Sequence, residues 1–287
     1  MGNDFRFRMT FWGVRGSTPT PQIENLNYGG NTCCLEVRLP NEEVFIFDAG
    51  TGVRNLGDSL LEEFPDQKLT LKVFLTHFHW DHIQGIPFFQ PLYHAENQVI
   101  FHSVAFPEGQ YRRCGSNNGL EEALKIQMAN PYFPISFDSL PAKKEFIQID
   151  PEPLKFGNLT ITPFPLNHPG QTFGYRIESE GAVVVYATDL EHGHKKLDRV
   201  LREVSENADL LIFDSQYTPE DYGKHRKWGH STWLEACRAA SDAKVKQLAL
   251  FHHHPSYDDR KFYQIIQKAR GEFENTIGSQ EGWSLIL

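Results

Sequence analysis

Short apolar runs alternate with polar punctuation along most of the chain. Runs rich in β-branched and aromatic residues, bounded by Gly, Pro or Asn, predict strands at 5–14, 33–39, 44–48, 69–76, 98–102, 159–163, 173–178, 182–187, 210–214, 245–251 and 283–287. Helical spacing appears between them. Val53, Leu56, Leu60 and Phe64 form one stripe. Leu197, Val200, Leu201 and Val204 form a second, and Phe262, Ile265, Ile266, Ala269 and Phe273 a third. Thr232 and Glu235 fit a capping box that opens a helix through about 241. Strands come first in runs and then mix with helices, which predicts an α/β (α+β) arrangement of packed sheets with helices outside.

Region 103–150 breaks this rhythm. A short helix over 120–129 is followed by Asn130-Pro131-Tyr132-Phe133-Pro134-Ile135-Ser136-Phe137, where prolines flanking aromatics end any helix. The region reads as an inserted helical and aromatic lid within a single domain over 1–287. The alternative is a surface excursion with its own small apolar cluster.

Composition narrows the class. Hydrophobic residues at 40% and charged residues at 23% fit a soluble globular protein with a sizeable core. A net charge of −9 disfavours broad phosphate-backbone binding but leaves room for a local basic patch. Cys33, Cys34, Cys114 and Cys237 contain no CxxC pair, so neither a disulfide framework nor a cysteine zinc site is expected. Residues 1–6 have no apolar signal core and no myristoylation pattern, and no apolar run approaches the roughly 18 residues that span a bilayer. The expected location is the cytoplasm, with no membrane partner.

The densest chemistry is Thr76-His77-Phe78-His79-Trp80-Asp81-His82, directly after the apolar run 71–75. Imidazole and carboxylate suit zinc, manganese or iron. His77 and His79 alternate, so an extended segment projects both to one side. Asp81 and His82 follow where the chain can turn, placed to serve a second ion. His168, Asp189 and His252 each end another apolar run. Four strand ends with one class of ligand predict a shared metal rim.

With Asp48 in Phe47-Asp48-Ala49-Gly50 ahead of them, these motifs stand in an order that resembles the metallo-β-lactamase-fold hydrolases over nearly the whole chain. That resemblance implies an αββα four-layer sandwich with a two-metal site on one rim. It gives His77, His79 and His168 to one ion and Asp81, His82 and His252 to the other, with Asp189 bridging and Asp48 structural. His253 and His254 are rivals to His252, which the strand-Leu-x-His ending favours. The implied cofactors are two divalent ions, zinc first, with manganese and iron as alternatives.

Two such ions about 3.5–4 Å apart can share a water and lower its pKa toward neutrality, so hydroxide is the expected nucleophile, with Asp81 orienting it. A departing alkoxide also needs a proton. Gly229-His230-Ser231-Thr232, just before the capping box, offers His230 as general acid. The segment resembles the histidine motif of the phosphodiesterase branch of this fold, which includes ribonuclease Z. In that branch the histidine protonates the leaving oxygen. Asp214, ending the run 210–214, is the expected partner that orients His230. The opening run Trp12-Gly13-Val14-Arg15-Gly16-Ser17-Thr18-Pro19 also resembles this branch and is assigned no catalytic role.

The substrate expectation rests on the insertion. Residues 101–150 hold five basic residues (Arg112, Arg113, Lys125, Lys143, Lys144) against six acidic ones, with Tyr111, Tyr132, Phe133 and Phe137 as aromatic walls. The expected activity is therefore a metal-dependent phosphodiesterase acting on a small phosphodiester, a cyclic nucleotide first, with long nucleic acid set aside as a partner. The alternative is a ribonuclease Z-like endonuclease that processes tRNA 3′ ends. A third reading is a non-catalytic ligand-binding protein on the same fold. A homodimer is typical of such relatives.

Overall fold

A computed structural model describes residues 6–104 and 119–287. The start of the segment read for a targeting signal lies outside the described residues, as do Glu108, Tyr111, Arg112, Arg113 and Cys114 of the insertion. Every strand expected from the apolar runs forms, and the strands assemble into two seven-stranded sheets. The chain divides into two compact units with one sheet each. The first takes 1–13, 33–150 and 284–286, and the second takes 14–32, 151–283 and residue 287.

In the first unit the strand order is Ser284–Ile286, Arg8–Gly13, Cys34–Arg38, Val44–Phe47, Thr70–Phe74, Gln98–Val104 and Lys143–Ile149. From Val44–Phe47 onward the strands are parallel. Helix Gly52–Glu63 makes a crossover, and its stripe of Val53, Leu56 and Leu60 joins Val73, Val99 and Phe101 in the core.

The lid boundaries need correcting. Ser103 and Val104 belong to a strand, and Lys143–Ile149 is the edge strand of the sheet rather than part of an insertion. Its sequence, KKEFIQI, is polar because an edge strand is half solvated, so it lacks the apolar run that marked the others. Helix Gly119–Gln127 forms where expected. Its Leu120 and Leu124, with Met128, Phe137 and Leu140, join the unit's main core instead of building a separate cluster. Of the expected aromatic wall, Phe137 is buried and Phe133 meets Phe88 edge-on at 5.8 Å, which leaves Tyr132 exposed.

In the second unit the order is Thr276–Gly278, Leu248–Phe251, Leu210–Asp214, Ala182–Ala187, Thr172–Ser179, Leu159–Leu166 and Leu154–Phe156. The first four are parallel and linked by helices Lys195–Val204, Trp233–Asp242 and Asp259–Glu272, as the stripes predict. Pro163 and Pro165 lie in Leu159–Leu166 beyond its pairing with the short strand Leu154–Phe156, on the open side where a missing N–H breaks no ladder. The capping box forms by half. Thr232 Oγ1 accepts from Glu235 N at 3.2 Å, while the Glu235 carboxylate turns to Arg238. No described helix is long and apolar enough to cross a membrane.

Parallel order has a consequence for chemistry, because open α/β sheets bind ligands at the carboxyl ends of their strands. Asp48 and Thr76 sit just past such ends in the first unit. Asp189 and His252 do so in the second, where Asp214 is the last residue of its strand.

One histidine serves the core alone. His102 stacks flat on Phe74 at 4.3 Å, and burial pushes its pKa down to about 4 from 6.5. The unfolded chain therefore binds a proton that the folded one refuses. This contribution to stability is full above about pH 6.5 and is lost as pH falls from about 6.5 to about 4, a change on the order of 3 kcal/mol. Urea midpoints of wild type and His102→Gln should converge across that window. Parallel curves would show that His102 does not titrate with folding.

Candidate active site

In the first unit the histidine motif is held from below by Asp48. Its Oδ1 accepts from Thr76 N at 2.9 Å and its carboxylate from Thr76 Oγ1 at 3.0 Å, while Oδ2 accepts from His82 Nδ1 at 2.8 Å. Thr76 Oγ1 lies 3.0 Å from His77 Nδ1. With their Nδ1 atoms so engaged, His82 and His77 can offer Nε2 to a metal ion. The His77 ring lies 4.4 Å from that of His79 and 4.3 Å from that of His82. Asp81 and His82 stand on the one-turn helix Trp80–Ile83, with Asp81 Oδ2 3.5 Å from His82 Nε2. Gln127 Nε2 donates to Ile83 O at 2.9 Å, so the helix expected to form a lid braces this turn.

The second unit gathers His168, Asp189, Asp214, His230 and His252. His168 Nδ1 donates to Gly229 O at 2.7 Å, which aims Nε2 at Asp189 Oδ1, 3.8 Å away. His252 Nε2 lies 3.2 Å from Asp189 Oδ2. Ligand atoms of Asp189, Asp214, His230 and His252 all fall within 4.8 Å of one another, and all four residues are buried. Asp48, Asp189 and His252 each follow a strand with φ near +60°, a left-handed conformation that Asp and His tolerate better than most residues. That turn swings each side chain out past its strand end.

His230 is fixed by Asp214 as expected. Its Nδ1 donates to Asp214 Oδ2 at 2.7 Å, and Asp214 Oδ1 also accepts from Gln216 N at 3.1 Å and Ser231 N at 3.3 Å. The rings of His230 and His252 stack at 4.8 Å, and His168 meets His230 at 5.2 Å. Of the three consecutive histidines, His252 alone approaches Asp189. His253 is buried, donates from Nε2 to Ser279 O at 2.8 Å and packs on Phe262 at 3.7 Å, and burial holds its pKa well below 6.5. His254 stacks on Tyr257 at 4.7 Å and accepts from Ser256 N.

The donor set fits divalent ions. Asp189, Asp214, His230 and His252 bring imidazole nitrogens and carboxylate oxygens together in a buried place, while His77, His79, Asp81 and His82 stand close along one turn with His79 exposed. Asp48 engages the far ring nitrogen of His82 and Gly229 O that of His168, which leaves Nε2 as the nitrogen able to meet a metal. Burying two carboxylates as close as Asp189 and Asp214 is costly without cationic compensation.

Two supporting groups had no readable signal in the sequence. Glu191 accepts from Tyr222 Oη and Lys227 N at 2.8 Å and from Gly229 N at 3.1 Å, so it holds the loop whose carbonyl orients His168. Gly229 has φ +89°, and a Cβ there would fall 2.4 Å from His168 Nδ1. Gly16 is similar, since a Cβ would fall 2.4 Å from His252 Nδ1. The opening glycine run thus allows close approach to His252. Its buried Arg15 braces the loop, donating to Gly29 O and Tyr257 O at 2.7 Å.

A family model described as "Beta-lactamase superfamily domain" matches residues 44–253. The ribonuclease Z of Thermoplasma acidophilum is 24% identical, across 96% of this chain and 94% of that one. The metallo-β-lactamase-fold protein YhfI from Bacillus subtilis superposes with TM-score 0.71 at 19% identity, across 99% of this chain and 100% of that one. The short form of human tRNase Z gives 0.62 at 17% identity, across 97% and 98%. These structural likenesses show the metallo-β-lactamase sandwich fold that the motifs implied. The relatives also overturn one expectation. Long nucleic acid was set aside as a partner, yet proteins similar along nearly the full length are named ribonuclease Z. Net charge and the balance of 101–150 are sums, and such sums do not register where individual cations lie.

Proposed function

From the premise that this chain belongs to the β-lactamase superfamily domain family, we propose that it is a ribonuclease Z-like phosphodiesterase that cleaves RNA. The likeness to ribonuclease Z over 96% of the chain is the observation that carries the reading. The residues that would hold the ions are His77, His79, Asp81 and His82 in the first unit and His168, Asp189 and His252 in the second. Zinc comes first among the candidate metals. Divalent ions supply, when bound, a nucleophile at neutral pH and neutralise charge on the phosphoryl oxygens.

The chain's own residues do the rest. Asp214 Oδ2 accepts a 2.7 Å hydrogen bond from His230 Nδ1–H and so fixes the ring and its tautomer. A protonated His230 then delivers its Nε2 proton to the departing ribose oxygen, and Asp214 stabilises the imidazolium beforehand. Glu191 and Gly229 keep His168 oriented beside them.

The test is turnover by metal-reconstituted protein on a precursor tRNA with a 3′ trailer, beside 3′,5′- and 2′,3′-cyclic nucleotides, with Asp81→Ala as control. Cleavage of the precursor, lost in the control, is the expected result. Hydrolysis of the cyclic nucleotides alone would overturn the RNA reading.

A further inference from the structure

Basic side chains gather on two touching loops of the second unit. The short helix Pro219–Tyr222 leads into Gly223-Lys224-His225-Arg226-Lys227-Trp228, which runs directly into Gly229 and His230. Lys224, Arg226 and Lys227 are exposed, and Trp228 shows 62% of its surface to solvent. Beside this loop lies the segment that follows Asp189, His192-Gly193-His194-Lys195-Lys196, with both lysines exposed. The loops are joined by Glu191, and the His192 ring lies 4.4 Å from Tyr222.

The local acids are largely turned away from these cations. Glu191 is taken up by Tyr222, Lys227 N and Gly229 N. Asp221 accepts from Thr218 Oγ1 at 2.9 Å and from Tyr257 Oη. Asp198 accepts from Gly193 N at 2.8 Å. Glu220 is the exposed acid nearby. Among the described residues, none of Lys195, Lys196, Lys224, Arg226 or Lys227 forms an ion pair within 4.0 Å.

Scattered surface lysines are ordinary, but this group has two further properties. It forms in a chain of net charge −9, so the positive charge is segregated rather than average. It also carries an exposed indole two residues before His230. The His225 ring meets Trp228 edge-on at 4.9 Å and stacks on Tyr217 at 4.5 Å, and Tyr217 lies 6.1 Å from His230. Trp228 is thus braced on one side and open on the other, as a stacking platform requires.

We propose that this rim binds the RNA strand next to the scissile phosphate, with Lys195, Lys196, Lys224, Arg226 and Lys227 on its backbone phosphates and Trp228 stacked on an unpaired base. The inference rests on the ribonuclease reading above and names where that substrate is held.

The test uses full-length metal-loaded protein, a fluorescein-labelled single-stranded oligouridylate for binding over a salt series, and the precursor tRNA for kinetics. The variants are Trp228→Ala and the triple variant Lys224→Gln, Arg226→Gln, Lys227→Gln. All four positions are exposed, so an unchanged Tm is the check that the fold is intact. Trp228→Ala should weaken oligouridylate binding about tenfold. The triple variant should lower the slope of log Kd against log salt by about 2. Both should raise KM for the precursor while kcat changes by less than about twofold. Wild-type affinity and salt slope in the triple variant, with the precursor still cleaved, would overturn the rim and leave the ribonuclease reading intact. Wild type that neither binds nor cleaves RNA would remove both. Loss of binding to phosphatidylserine vesicles with RNA affinity untouched would assign the rim to a membrane surface and overturn the proposal.

Discussion

His230→Ala should lower kcat on RNA by about 10²- to 10⁴-fold while KM stays within a few-fold. The expectation comes from a buried pair. His230 Nδ1 donates to Asp214 Oδ2 at 2.7 Å, and Asp214 is further held by Gln216 N and Ser231 N. A carboxylate so placed stabilises the imidazolium and leaves Nε2 as the proton donor. The ribose oxygen is a poor leaving group and needs that proton, whereas p-nitrophenolate leaves unaided. The variant should therefore lose far less on bis-p-nitrophenyl phosphate than on RNA. Equal losses on the two substrates would mean that His230 positions the phosphate or shapes the site and does not protonate the leaving oxygen.

The second large effect is expected at Asp189. Its φ of +56° lies where Asn is tolerated as well as Asp, so Asp189→Asn removes the charge and keeps the shape. Two imidazole nitrogens, His168 Nε2 at 3.8 Å and His252 Nε2 at 3.2 Å, converge on its two oxygens. With the carboxylate gone, bound zinc measured by plasma mass spectrometry should fall by about one equivalent or more per chain. Turnover should drop on the order of 10³-fold or more. Full metal content together with wild-type turnover would remove Asp189 from the ligand set.

The strands and three helical stripes were legible because their signals are local. An apolar run past a polar stop reads as a strand wherever it later packs, and Val53, Leu56 and Leu60 share a helix face by spacing alone. The failures are equally specific. Lys143–Ile149 is polar because it is an edge, and Leu154–Phe156 and Thr276–Gly278 are too short to show alternation. The misplaced lid followed from the first of these. Phe137 reads from its aromatic neighbours as part of a wall, but the core of the first unit encloses it.

The site divides in the same way. Sequence alone determined the candidate ligand types, their order along the chain and their positions at strand ends, because a residue's chemistry and its place after an apolar run need no partner to be read. The histidine before the capping box was legible for the same reason. Tertiary structure alone decided which atoms meet. His168 is oriented by a carbonyl 61 positions away that nothing in the sequence marks, whereas the partner of His230, a carboxylate 16 positions away, is expected from the sequence and only its geometry is new. The strand-Leu-x-His ending already favours His252 over its two neighbours; the structure adds the reason, a left-handed turn at His252 and the burial of His253 against Phe262. The gathering of five cations on two touching loops, one of which runs into His230, is likewise invisible to a charge count. Such features depend on contacts between segments far apart in sequence, and no local periodicity encodes those contacts.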